Sequence, residues 1–247
     1  MTRLFPVLFA AALTACAQQV SPYPVARFTT PAGNEVSVSM IHHASLAIDY
    51  KGYQIQIDPV TRMRDSEIDY SSFPKADCIL VTHEHGDHFD PAAIELLSKD
   101  GTRVILNPAT REKLGSGEAI ANGDTTRVGP FGLIAVPAYN ITEDHLQFHP
   151  KGRDNGYILD FDGLRIYVSG DTEDIDEMAT FGPLDVAFLS TNQPYTMTTT
   201  QCVDAAMVLR PKVLVPYHLS DTDMQEIKTV LDTNDSGIEV LLYEELR

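Results

Sequence analysis

The sequence predicts an α/β fold in a single domain, on three observations. Short segments of β-branched and apolar residues recur from Val36 to Tyr217. Stretches with a helical apolar period separate the later ones. The chain, at 247 residues, is long enough for a substantial core without dividing in two.

The elements follow in order. The first fifteen residues, MTRLFPVLFAAALTA, place Arg3 before an apolar run too short to span a bilayer, so residues 1–15 read as an export signal. Leu13-Thr14-Ala15-Cys16 resembles the bacterial lipoprotein signal, which implies cleavage before Cys16, its lipidation, and residence at the bacterial cell envelope. In a Gram-negative cell that means the periplasmic face of a membrane. Residues 16–34, rich in Pro, Ser, Thr and Gln, are expected to form a flexible tether, with the folded domain over 35–247.

VSVSMI, SLAIDY and YQIQIDP alternate partly or fully, and Lys51-Gly52 supplies a tight turn between the last two, so an antiparallel meander opens the domain. CILVT, TRVILN, FGLIAVPA, GYILDF, LRIYVS, DVAFLS and KVLVPY continue as strands. Helices are expected in PAAIELLSK, entered through the cap and first-turn pair Asp90-Pro91, and in TTTQCVDAAMVLR and DMQEIKTVLDT. With Cys16 lipidated, Cys78 and Cys202 remain; in a strand and a helix they read as small buried thiols.

Charge narrows the function. Asp and Glu number 35 against 18 Lys and Arg, a formal net charge of -17, which disfavours nucleic-acid backbones as partners. The basic residues form no patch. There is no Gly-x-Ser-x-Gly elbow, no phosphate-binding glycine loop with its lysine, and no dinucleotide fingerprint.

The chemistry concentrates in VTHEHGDHFD, residues 81–90, directly after an apolar strand. His83 and His85 alternate at the strand end and can face one cation, with Gly86 expected to allow a sharp turn. Asp87 and His88 follow the turn and can face a second cation beside the first.

Thr82-His83-Glu84-His85-Gly86-Asp87-His88 resembles the signature of the metallo-β-lactamase superfamily, and the resemblance continues over most of the mature domain. Ser169-Gly170-Asp171-Thr172 resembles the family segment whose aspartate bridges two metals, and Pro216-Tyr217-His218 its final strand-end histidine. The resemblance implies a four-layer αββα sandwich, two mixed β-sheets flanked by helices. It also implies a metal-dependent hydrolase with two divalent ions, zinc first and manganese or iron as alternatives. His83 and His85 would belong to the first ion, Asp87, His88 and His218 to the second, and Asp171 to both. Asp87 or Asp171 would orient the nucleophile or accept its proton.

One position departs from the pattern. Where much of the family has a histidine after Pro-Ala, Val136-Pro137-Ala138-Tyr139-Asn140 offers Asn140, and an amide oxygen is a poorer zinc ligand than imidazole. His145 and His149 follow closely, and His149 is chosen to complete the first site, since Phe148-His149-Pro150-Lys151-Gly152 is typical of a family branch with Tyr-Asn at the earlier position. His43 is chosen as a group that orients a ligand or donates to an oxyanion, Asp58 as a structural aspartate. The expected substrate is a small-molecule or lipid phosphodiester, lactone or ester. The alternative, favoured by Asn140, is a non-catalytic metal- or ligand-binding envelope lipoprotein.

Overall fold

The computed structural model describes residues 21–247. The export signal over 1–15 and the lipidation of Cys16 lie outside the described residues. The tether expected over 16–34 ends early, because Val25–Thr29 forms strand β1, paired antiparallel with β2 (Glu35–His42). An edge strand of this kind is recruited by backbone pairing, and its mixed residues carry little apolar signal of their own.

β3 (Ser45–Tyr50) and β4 (Tyr53–Ile57) extend this meander antiparallel. After a small hairpin, β5 (Arg62–Met63) with β6 (Ser66–Glu67), the chain returns as β7 (Cys78–Val81) parallel to β4. β8 (Arg103–Leu106) and β9 (Glu118–Ala119) continue in parallel, giving the order β1-β2-β3-β4-β7-β8-β9.

The second sheet repeats this plan. β10 (Thr125–Val128), β11 (Phe131–Ala138), β12 (Asp154–Phe161) and β13 (Leu164–Val168) pair antiparallel. β14 (Val186–Ser190), β15 (Val213–Tyr217) and β16 (Glu239–Val240) then add in parallel.

Three apolar clusters hold four layers together. The largest lies between the sheets and joins Val38, Leu46, Ile48 and Leu80 of the first to Phe131, Leu159, Phe188 and Val215 of the second. Helix α1 (Pro91–Leu97) covers the outer face of the first sheet through Ala93, Ile94 and Leu97. Helices α3 (Thr199–Leu209) and α4 (Met224–Thr233) cover the second through Cys202, Ala206, Ile227 and Leu231. Each fully buried Leu, Ile or Phe contributes about 1.5–3 kcal/mol of transfer free energy. The result is an αββα sandwich.

The caps are written in the sequence: Asp90 accepts from Ala92 N–H ahead of Pro91, Thr198 and Gln201 form a capping box, and Asp223 caps α4. Helix α2 (Pro108–Leu114) has no counterpart among the predicted elements; it buries only Thr110, so no apolar period marks it. Cys78 and Cys202 are buried and unpaired, and burial pushes the Cys202 thiol up to about 12. Among the described residues no helix is long and apolar enough to cross a membrane.

Candidate metal centre

The parallel strands of both sheets end on one side of the sandwich, and the site is built on those ends. Asp58 follows β4, His83 and His85 follow β7, Asp171 follows β13 and His218 follows β15. The two sheets are also joined there, by Asn155 N–H to Thr82 O at 3.1 Å and by Tyr157 Oη–H to Val81 O at 2.8 Å. Thr82, between β7 and the ligand run, is thereby fixed to the opposite sheet.

Past Thr82 the chain makes a helical turn, with both His88 N–H and Phe89 N–H donating to His85 O. This turn brings His88 back under His83, their ring centroids 4.1 Å apart. The sharp bend expected of Gly86 does not need glycine, since its φ is not left-handed and a Cβ there would meet nothing within 4 Å. The requirement falls on Gly170. Its φ is +61°, and a Cβ would sit 2.7 Å from Asn155 O and 3.2 Å from Thr82 Cβ, so only glycine lets Asp171 pass this close to the first sheet.

Two groups of ligand atoms converge. His83, His85, His149 and Asp171 form one, and His88, Asp171 and His218 the other, each with one ligand atom per residue within 4.8 Å of the rest of its group. Asp171 belongs to both. Its Oδ2 lies 3.3 Å from His149 Nε2 and 3.4 Å from His218 Nε2, and its Oδ1 3.3 Å from His88 Nε2. Asp87 Oδ2 lies 3.4 Å from His218 Nε2 and 3.6 Å from His43 Nε2, and His43, Asp87 and His218 make a further group.

The rings are aimed by hydrogen bonds at their other nitrogen. His88 Nδ1–H donates to Asp58 Oδ2 at 2.8 Å, and His149 Nδ1–H to Asp154 Oδ2 at 3.0 Å. Thr82 Oγ1 donates to Asp58 Oδ2 at 2.7 Å and therefore accepts from His83 Nδ1–H at 3.0 Å. Asp58, fully buried, thus orients His88 directly and His83 through Thr82. The structural aspartate read from the sequence serves histidines of both groups.

With Nδ1 occupied, Nε2 is left free to bind. The Nε2 atoms of His83, His88 and His149, together with Asp171 Oδ1, are buried without a hydrogen-bond partner. Buried polar atoms left in this state cost about 1–3 kcal/mol each. Here they all point into one small space, and imidazole nitrogens with carboxylate oxygens are the donor set of zinc and related divalent ions. The residues fit divalent-cation binding.

The electrostatics agree. Burial alone would raise the Asp171 carboxyl, yet His218 and His88 hold it well below the usual carboxylate range. Burial likewise opposes the charge on His149, but Asp154 and Asp171 outweigh it and bring the ring up to about 9. Asp171, Asp87 and Asp58 overcome the same penalty at His88 and hold it well above its ordinary value. The carboxylates of the cluster thus favour positive charge at His88 and His149.

Three site residues have left-handed backbone without being glycine: His43 at φ 51°, Asp58 at 45° and His218 at 52°. Each costs of order 1–2 kcal/mol, and each is tied by its own amide, His43 to Glu245 O, Asp58 to Leu80 O and His218 to His43 O. Backbone strain held in place by the surrounding fold is common at functional sites.

The departure at Asn140 is explained by the loop between β11 and β12. Asn140 Nδ2 donates to Tyr195 O at 2.9 Å and His145 O at 3.2 Å, while its amide donates to His149 O at 2.9 Å. Asn140 therefore clamps the loop that delivers His149 to the first group. His145 is turned away from both groups, its Nδ1 3.1 Å from Glu173 Oε1.

His43 lies within the cluster, its ring 3.9 Å from that of His218, while His42 faces Glu245 O. The oxyanion-donor role expected of His43 is corrected by its geometry. Nδ1–H is committed to Leu219 O at 3.1 Å, and burial followed by the nearness of His218 lowers the ring to about 4. A neutral ring with Nδ1 protonated has only an acceptor at Nε2. Met197 is fully buried in the core, whereas Tyr195, 44% exposed, stands at the rim.

The missed residues are Asp154, its clamp Arg153, and Thr82. Arg153 Nε and Nη2 donate to both Asp154 oxygens at 2.7 and 2.8 Å, and Arg153 Nη1 lies 3.3 Å from Glu84 Oε1. No motif marks Arg153 or Asp154, although an acidic residue five positions after a ligand histidine was available as a signal; Thr82 opens the histidine motif, but only the fold shows what its hydroxyl does.

Comparison with known proteins agrees with this geometry. A β-lactamase superfamily domain model matches residues 37–218. A metal-dependent hydrolase of Thermococcus kodakarensis is 34% identical over 193 residues, covering 74% of this chain and 84% of that one. A solved structure from Parabacteroides distasonis, described as a metal-dependent hydrolase, is 48% identical with a TM-score of 0.86, covering 91% of this chain and 100% of that one. A metallo hydrolase from Ignicoccus hospitalis is 25% identical with a TM-score of 0.72, over 86% of this chain and 96% of that one. By the match over residues 37–218 and the sandwich that carries it, the chain belongs to the metallo-β-lactamase superfamily.

Proposed function

We propose that the protein is a dinuclear metal-dependent hydrolase acting on a small-molecule or lipid phosphodiester, lactone or ester. One observation carries this reading: two groups of ligand atoms, buried except for the half-buried His85, share Asp171 at the base of a cleft of about 630 Å³ lined by His43, His85, Asp87, His149 and His218. The relatives described as metal-dependent hydrolases support the reaction type.

His83, His85, His149 and Asp171 would hold the first cation, and His88, His218, Asp87 and Asp171 the second. Divalent cations bound there would supply a water acidic enough to ionise near neutral pH and an electrophilic centre for developing negative charge. Asp87, with a side chain 33% exposed, is the cluster carboxylate that reaches the cleft solvent. On this reading Asp87 or Asp171 would orient the attacking water or accept its proton, and the exposure of Asp87 to the cleft favours Asp87. His43 Nε2, an acceptor in the neutral ring, lies 3.6 Å from Asp87 Oδ2. Zinc is the first choice for this donor set, with manganese or iron as alternatives.

The non-catalytic reading rested on Asn140; the bonds that Asn140 makes to the loop and the presence of His149 in the first group favour the hydrolase reading over it. Envelope location through a lipidated Cys16 is part of the proposal and rests on the leader alone; it would bring the cleft near lipid substrates. The test is turnover of a neutral aryl ester, a lactone and bis(p-nitrophenyl) phosphate by zinc- and manganese-loaded protein beside Asp171→Asn. Hydrolysis of any of the three that is lost in the variant supports the proposal. Failure of all three with both metals bound would sink it.

A further inference from the structure

The cleft contains one strongly basic side chain. Arg64 lines it from the tip of the β5–β6 hairpin, beyond the ligand cluster. In a chain with 35 acidic and 18 basic residues a guanidinium finds a carboxylate readily, and Arg62, two residues earlier, pairs with Glu67. Arg64 makes no ion pair among the described residues. Its Nη2 instead donates to Ser220 Oγ at 2.8 Å, two residues past His218.

The position is built. Arg64 has a left-handed φ of 52°, a conformation costing of order 1–2 kcal/mol, at the centre of a tight turn between paired strands. The serine bond leaves the remaining guanidinium N–H groups available, and an unpaired guanidinium over a cleft is suited to a carboxylate or phosphate. A second segment of the rim supplies an apolar wall. Phe148 and Tyr195 pack edge to face with centroids 4.9 Å apart, and Tyr195 remains 44% exposed. The loops bearing them are joined by the Asn140 bond to Tyr195 O, so the wall and His149 are held by one clamp.

We infer that Arg64 and the Phe148–Tyr195 pair form a recognition subsite for a substrate carrying an anionic group, carboxylate or phosphate, on a flat apolar body. The cation fixes the charged end and the aromatic pair the body, so that the bond to be cleaved lies over the metal cluster. The inference builds on the hydrolase reading, because it treats the anion as part of a substrate.

The test is isothermal titration of zinc-loaded protein with phenylphosphonate, methylphosphonate and benzoate, none of which is hydrolysed. Arg64→Ala should weaken phenylphosphonate binding by about tenfold or more, the scale of a charged hydrogen-bonded pair. Arg64→Lys should fall in between, because it keeps the charge and loses the fork. Tyr195→Ala should weaken phenylphosphonate and leave methylphosphonate unchanged. A loss on Arg64→Ala confined to the phosphonates assigns a phosphoryl group, one confined to benzoate a carboxylate, and losses for both an anion of either kind. Equal affinities in wild type and Arg64→Ala, or no binding by wild type, would overturn the subsite. Arg64-dependent binding without turnover of any ester would refute the hydrolase reading and leave the subsite standing; turnover with Arg64-independent binding would do the reverse.

Discussion

The two ligand groups of the candidate metal centre, its two halves, are assembled by different means. The second half comes from strand ends: His88 from the turn after β7 and His218 from the end of β15, with Asp58 at the end of β4 behind His88. The first half takes His83 and His85 from the same run but draws His149 from a long loop, held by Asn140, Asp154 and Arg153. A sheet fixes its strand ends as a consequence of folding, whereas a loop must be pinned by dedicated bonds. The first half should therefore be the more sensitive to mutations that touch no cation, and the second to changes in the sheets themselves.

The largest effect is expected where the comparison collapses. Asp171→Asn replaces the carboxylate shared by both halves with a neutral amide, and metal content should fall at both together, with loss of any hydrolysis. Elemental analysis beside an activity assay checks this; loss of one metal alone would mean that Asp171 does not join the halves.

Next in size are the orienting carboxylates, whose removal typically costs 10- to 100-fold in metal affinity, as an order of magnitude. Asp58→Asn should weaken both halves, because Asp58 reaches His88 directly and His83 through Thr82. Asp154→Asn should weaken only the half containing His149. Competition titrations with a chromophoric chelator would separate the two, and identical profiles for the two variants would contradict the division.

The metal-free protein offers a smaller, pH-dependent distinction. His149 is raised from 6.5 to about 9 by Asp154 and Asp171 against the opposing effect of burial. Its contribution to stability is fully present below pH 6.5 and is lost as pH rises through about 9. The metal-free protein should thus lose stability over that window, as followed by chemical denaturation, while His149→Gln should show a flatter profile. Cation loading at neutral pH should release protons from His149 and His88, and calorimetry in buffers of different ionisation enthalpy would count them.

The smallest expected effect lies far from either half. Cys202 is fully buried with its thiol pushed up to about 12, and Cys78 is fully buried as well, so neither should react with a thiol reagent until the protein unfolds. Rapid labelling of Cys202 in the native protein would show that the layer over the second sheet opens.

Much of the fold and site was legible because the signals were local. The strands carry their own alternation, and four ligand-type residues crowd into positions 83–88 after a buried strand. What was not legible depends on tertiary pairing. β1 forms by adding to an edge, and α2 buries one residue. Gly86 looked necessary because it lies in the motif, yet Gly170 is the glycine that the close approach of the sheets demands. Asp154 and Thr82 gain their roles only when the loop and the strand end meet, and the orientation of His43 is fixed by a carbonyl 176 residues away in sequence. Spacing identifies ligands more readily than it identifies what aims them.

The central claim is a two-cation centre whose first half is completed by His149. The most direct measurement is the metal content of full-length protein purified without chelator, beside His149→Ala. The account predicts about two equivalents of divalent metal in the wild type and about one in the variant. A single equivalent or none in the wild type, unchanged in the variant, would contradict it.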